Sequence, residues 1–109
     1  MVKRSPDLDL IFQSLADPTR RDILRRGAKK DLSISELARP YKLSLPAISK
    51  HIRVLEKAHL VTKERRGKQY FVHISLPAFS EAMNHLKEYE KLWNERFDRL
   101  ERYLSTFPT

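Results

Sequence analysis

The sequence predicts a mainly α-helical fold with one β-hairpin, in the order α-α-α-α-β-β-α, closing on a long C-terminal helix. Three observations predict it. Apolar residues recur at steps of three and four through four short segments, and again over residues 77–104. Residues 69–75 instead alternate, directly after a basic run that holds a single glycine. Serines and prolines punctuate the boundaries between the helical segments.

The first helix spans 7–16, where Leu8, Ile11, Phe12 and Leu15 form one stripe. Asp17-Pro18 ends it and starts the next, since Asp caps and Pro suits the first helical position. The second helix runs from 19 to about 28, with Ile23 and Leu24 inward and Arg20, Arg21, Arg25 and Arg26 outward. Gly27 near its end suggests termination. Ser33 and Glu36 make a capping-box pattern for a third helix containing Ile34, Leu37 and Ala38, which Pro40 stops. After a turn at 41–43, Ser44 caps a fourth helix from 45 to about 58, with Ile48, Ile52 and Leu55 on one face. A hairpin covers 60–75, with Tyr70, Val72 and Ile74 expected to hold it to the core. The last helix carries Phe79, Met83, Leu86, Tyr89 or Glu90, Trp93, Phe97, Leu100 and Leu104 on a stripe sustained for nearly four heptads.

The 109 residues suit one domain, 1–109. The chain has no cysteine, which excludes disulfides and cysteine-zinc sites and fits a reducing compartment. No apolar run approaches a membrane span, and the start MVKRSPDLDL lacks the apolar core of a secretory signal, so the expected location is cytoplasmic. Residues 1–75 hold 17 Lys/Arg against 8 Asp/Glu, whereas residues 76–109 hold 5 against 6. The net charge of +8 therefore sits entirely in the first two-thirds, which points to a phosphate-rich partner there. An enzyme is disfavoured: there is no Gly-rich loop, no cysteine nucleophile and no dense acid-histidine constellation. No cofactor is expected.

Segment 33–58 reads as a helix-turn-helix, and 60–75 as a wing beside it. An α-helix fits the major groove, and side chains near its N-terminus reach base edges. Ser44, Leu45, Pro46, Ser49, Lys50, His51 and Arg53 are the candidate DNA-reading residues. The first turn of that helix also offers backbone N–H groups to a phosphate. In the wing, Gly67 permits a tight turn, and Lys63, Arg65, Arg66, Lys68 and Gln69 are the candidate contacts to flanking DNA. Glu56 and Glu64 are the two counter-charges, expected outside the reading face. A protein-interaction module is the alternative, disfavoured by the excess of positive charge on this surface.

LADPTRRDIL (15–24), ISELA (34–38), LSLPAISKHIRVLEKAHLV (43–61) and RRGKQYFVHI (65–74) resemble the arsenic-repressor (ArsR) family of bacterial winged helix-turn-helix regulators. The resemblance implies a homodimeric repressor or autorepressor of transcription. The fourth helix of each subunit would read a half-site of a palindromic operator in double-stranded DNA, and the wings would touch flanking DNA. It also implies dimerisation through the first and last helices, 7–16 and 77–104, with Leu8, Ile11, Phe12, Leu86, Tyr89, Trp93, Phe97 and Leu100 at the interface. The length and apolar stripe of the last helix agree, because large aromatics suit an interface centre.

Many relatives sense metals. One family site needs paired cysteines on the third helix, which are absent. Another needs an Asp-x-His pair and a His-x-x-Glu pair; His85 and Glu88 match only the second. A metal-responsive repressor using His85 and Glu88 is therefore the weaker alternative, and no metal is expected. The chain is similar to the cysteine-free members, for which the inducer is a small molecule, a protein, or none. His59 stands where relatives have glycine after the fourth helix, so a positive φ is expected there.

Overall fold

The computed structural model describes residues 6–107; the first five residues, part of the stretch read above as lacking a secretory core, lie outside the described residues. Five helices and a three-stranded antiparallel sheet follow in the order α1 (Pro6–Leu15), α2 (Pro18–Gly27), β1 (Leu32–Ser33), α3 (Ile34–Ala38), a 3-10 turn (Arg39–Tyr41), α4 (Leu45–Lys57), β2 (Val61–Arg66), β3 (Gln69–Ile74) and α5 (Leu76–Ser105). The sheet order is β1-β3-β2. Leu32 pairs with Val72 and Ser33 with Phe71, so the chain entering α3 is stitched to the base of the wing.

The caps act as the sequence predicts. Asp17 accepts the Arg20 N–H at 3.1 Å at the start of α2. Ser33 and Glu36 form both halves of the capping box on α3. Two bonds from Ser33, from its backbone N–H and its hydroxyl, hold the Glu36 carboxyl below its ordinary range. Pro40 does not simply end α3. The chain tightens into the 3-10 turn, and Lys42 at φ 54° reverses it toward α4. After α4, the His59 N–H donates to the Glu56 carbonyl at 2.9 Å and the Leu60 N–H to the Leu55 carbonyl at 3.1 Å. That is the Schellman closure, and His59 occupies its left-handed position at φ 59° where glycine costs less. Gly27 has another role than the one expected. It is the last residue of α2, where the sequence places it, but a Cβ there would stand 3.1 Å from Ile74 Cδ1, so the glycine lets α2 approach β3.

All five helices and the sheet contribute to one core. Ile23, Ile48, Ile52, Leu55 and Leu60 are fully buried, joined by Leu37, Val61 and Val72. Full burial of each such side chain stabilises the fold by about 1.5–3 kcal/mol. Three expectations are corrected. Ile11 is 1% exposed and packs in its own domain's core, so it is not available to a partner subunit. Tyr70 does not anchor the hairpin; it is 44% exposed, and Val72 with half-buried Ile74 does that work. Arg20, Arg21 and Arg26 are not merely outward charges. Arg20 and Arg21 donate to the carbonyls of Gln13, Ser14 and Leu15 at the end of α1. Arg26 donates to the carbonyls of Glu36 and Leu37 in α3. These guanidiniums donate to carbonyls at the ends of helices, where intrahelical partners run out.

α5 stands apart. Of its 30 residues, Ala78 and Ala82 are buried against the core. Half-buried Phe79 packs on the core beside them, and most of the remaining helix projects, which makes the molecule 70 Å long with a radius of gyration of 19.4 Å. A compact chain of this length would have about 13 Å.

Candidate nucleic-acid interface

The interface is built on α4, because its apolar face is fully consumed by the core and its other face is left to solvent. Ile48, Ile52 and Leu55 point inward with no exposure. On the opposite side Leu45, Pro46, Lys50 and Arg53 are exposed, and Ser49 and His51 are half-buried. Leu45 is 52% exposed at the first helical position, an apolar side chain with no packing reason to be there.

The helix N-terminus offers less to an anion than its sequence suggests. Pro46 has no N–H. The Ala47 N–H is taken by the Ser44 hydroxyl at 3.2 Å, and the Ile48 N–H by the Ser44 carbonyl at 3.1 Å. Among the first-turn donors only the Leu45 N–H is left over. Hydrogen bonds that this helix end could offer a ligand therefore come mainly from side chains. His51 is steadied from behind, its Nδ1 lying 3.4 Å from Arg20 Nη1.

The wing stands beside α4. Gly67 turns the hairpin at φ 64° with nothing within 4 Å of where a Cβ would sit. β2 and β3 pair in register from Val61–Ile74 to Arg66–Gln69. A cleft of about 200 Å³ joins wing and helices, lined by Ser33, Ile34 and Ser35 of the α3 start, Leu45 and Ser49 of α4, and Lys68, Gln69 and Tyr70 of the wing. Ser35 and Tyr70 belong to this surface and were not among the sequence-derived candidates. Tyr70 was misread because strand alternation put it on the face of Val72, yet at the hairpin tip that face has run past the core.

The basic residues differ in how free they are. Lys50, Arg53 and Lys68 have no ion-pair partner among the described residues. Arg65 Nε donates to the Gly67 carbonyl at 3.0 Å, which folds it over the turn. Lys63 Nζ lies 3.4 Å from Glu56 and 5.5 Å from the Tyr70 ring. Arg66 is the most constrained: its Nε is 3.2 Å from Glu64, and its Nη2 is 3.5 Å from Asp31. The Glu64 carboxylate pushes the Arg66 pKa up, and Arg66 holds the Glu64 carboxyl low. On α5, His85 is half-buried and Glu88 exposed one turn on. Two such ligands leave a four-coordinate site half built.

Comparison with known proteins bears on this surface. Residues 15–64 match the family model described as a helix-turn-helix domain. The crystal structure of an ArsR family transcriptional regulator superimposes with a TM-score of 0.78 at 35% identity, covering 86% of this chain and 97% of that one. The chain belongs to the ArsR family. The HTH-type transcriptional regulator Rv2034 of Mycobacterium tuberculosis is 47% identical over 64 residues, 59% of this chain and 58% of that protein. The match thus spans a little over half of that relative's length. The transcriptional repressor SdpR of Bacillus subtilis is 27% identical over 74 residues, 68% of this chain and 82% of that protein. The ArsR family is a class of transcription regulators, not of enzymes. The family-model match over residues 15–64 contains the helix-turn-helix at 33–58.

Proposed function

We propose that this protein is a homodimeric, sequence-specific DNA-binding repressor that acts in the cytoplasm on a palindromic operator, its own promoter first among the candidates. The observation that supports the reading is the pairing of an exposed polar face on α4 with a basic wing across a common cleft. Leu45, Pro46, Ser49, Lys50 and Arg53 face the bases, with Leu45 suited to a thymine methyl and Lys50 and Arg53 to guanine edges. Ser44 caps the helix and His51 supports it. Lys63, Arg65, Arg66, Lys68 and Gln69 address the flanking backbone and minor groove.

Dimerisation is supported by the surface of α5. Leu86, Tyr89, Trp93, Phe97 and Leu100 are all at least half exposed, and Trp93 and Phe97 stack at 6.0 Å. An apolar stripe this long on a free monomer is rare and marks an interface. Phe12 and half-buried Leu8 extend it across α1. Two-fold symmetry then sets half-site centres about 10 bp, or a multiple of it, apart.

Fluorescence anisotropy at physiological salt tests the reading, comparing the duplex upstream of the gene with a scrambled duplex. A preference of about 10³-fold or more is expected. Equal, weak binding to both duplexes would overturn autorepression.

A further inference from the structure

Arg66, paired with Gln69 beside the hairpin turn, closes a ring of four charged or titratable side chains along one face of the wing. Its Nε and Nη2 face Glu64 Oε1 and Oε2 at 3.2 and 3.5 Å. The same Nη2 faces Asp31 Oδ2 at 3.5 Å. His73 completes the circuit: its Nε2 is 2.6 Å from that Glu64 Oε2, and its Nδ1 is 3.0 Å from that Asp31 Oδ2. Phe71 lies beneath, with the guanidinium carbon 4.6 Å from the ring centroid. The members come from the loop before β1, from β2 and from β3. Asp31 belongs to neither the recognition helix nor the wing.

A guanidinium presents a planar fork that fits a carboxylate and a phosphate alike. Two carboxylates therefore hold the seat that a DNA phosphate would take. The imidazole between them donates to both carboxylates only when both its nitrogens carry a proton; with one proton it donates to one of them. Arg65 and Lys68 on the same wing have no such acidic partners among the described residues. Glu64 and Asp31 also repel any phosphate that approaches without displacing them. The arrangement opposes loose, sequence-independent contact and yields only when the wing is seated closely enough for a phosphate to take over Arg66. Discrimination between partners commonly uses such a repulsive element beside the attractive ones.

We propose that Asp31 and Glu64, aligned by His73, are specificity-determining residues that hold Arg66 away from DNA phosphates and so suppress binding to non-operator DNA. This rests on the DNA-binding reading given above. The test measures the affinity of the full chain for a random-sequence 30-bp duplex across a salt series. The variants are Asp31→Asn/Glu64→Gln, Arg66→Ala, the three changes together, and Glu95→Gln/Glu101→Gln on α5 as an equal charge change far from the wing. The expected result is that Asp31→Asn/Glu64→Gln tightens random-duplex binding about tenfold and steepens the salt slope by about 0.9, the increment for one added phosphate contact. In the Arg66→Ala background the same two changes should give less than a twofold gain. A gain that persists without Arg66, or that the α5 variant reproduces, would overturn the proposal, because generic charge would then explain it. If the unaltered chain binds no duplex at all, the DNA-binding reading itself fails, and that outcome is distinct.

Discussion

α4 and α5 are both amphipathic, yet they dispose of their apolar faces in opposite ways. In α4 the stripe Ile48, Ile52, Leu55 disappears wholly into the domain, and the polar remainder faces out. In α5 Ala78, Ala82 and half-buried Phe79 reach the core, and Trp93, at 54% exposure, stays in solvent with its neighbours. The difference teaches how to read a helix for its partner. A helix whose apolar side is already covered offers charge and hydrogen bonds, which suit DNA. A helix whose apolar side is open asks for more protein.

Breaking the stripes in turn should separate the two roles. Ile52→Ala leaves a cavity where the core is tightest and should cost about 2–5 kcal/mol of folding stability, read from a urea melt. Trp93→Ala should leave the fold almost as stable but weaken self-association by about 2 kcal/mol or more, visible as a lower sedimentation mass. A folded Trp93→Ala variant with unchanged mass would remove α5 from the proposed interface.

The polar side of α4 can be sharpened against the wing. Arg53→Ala should cost about 1–3 kcal/mol on the operator and less on random DNA. Arg65→Ala should weaken both duplexes evenly and flatten the salt slope by about 0.9. If the two substitutions behave alike, the division between base reading and backbone contact is wrong. The smallest effect concerns the joint between α4 and β2. His59→Gly relieves a left-handed backbone and should raise stability by about 0.5–1 kcal/mol in a thermal melt. A loss instead would show that the imidazole makes up for its strained backbone.

Much of this was legible in the sequence, for local reasons. The Ser33–Glu36 box, the Asp17-Pro18 break and the Ser44 cap all depend on chemistry within a few residues, so their spacing announces them, whereas the positive φ at His59 was implied by the family resemblance alone. Features set by distant packing were not legible. β1 is two residues long and exists because Val72 and Phe71 lie beside it, so no periodicity marks it. Ile11 shares a stripe with Phe12, but the core takes one and leaves the other outside. Tyr70 follows the alternation of its strand past the point where the core ends. The candidate surface was readable as a set of basic residues on α4 and the wing. Which of those charges are already engaged was not readable, because Asp31 meets Arg66 across 35 positions of sequence.

α5 runs unbroken from Leu76 to Ser105, and its only proline stands in the first turn. It contains no glycine and no kink-forming pair after that. A helix of that length is a stiff lever of about 45 Å. Its fulcrum is the corner at Ser75, where Ala78 and Ala82 seat it on the domain. A swing of about 5° at that corner moves the far end by about 4 Å, on the scale of one base-pair step. In the proposed dimer, the separation of the two recognition helices is therefore set less by the long helix than by Ala78, Phe79 and Ala82 at its root. Any group wedged beneath Ala82 would change the spacing of DNA that the pair can span.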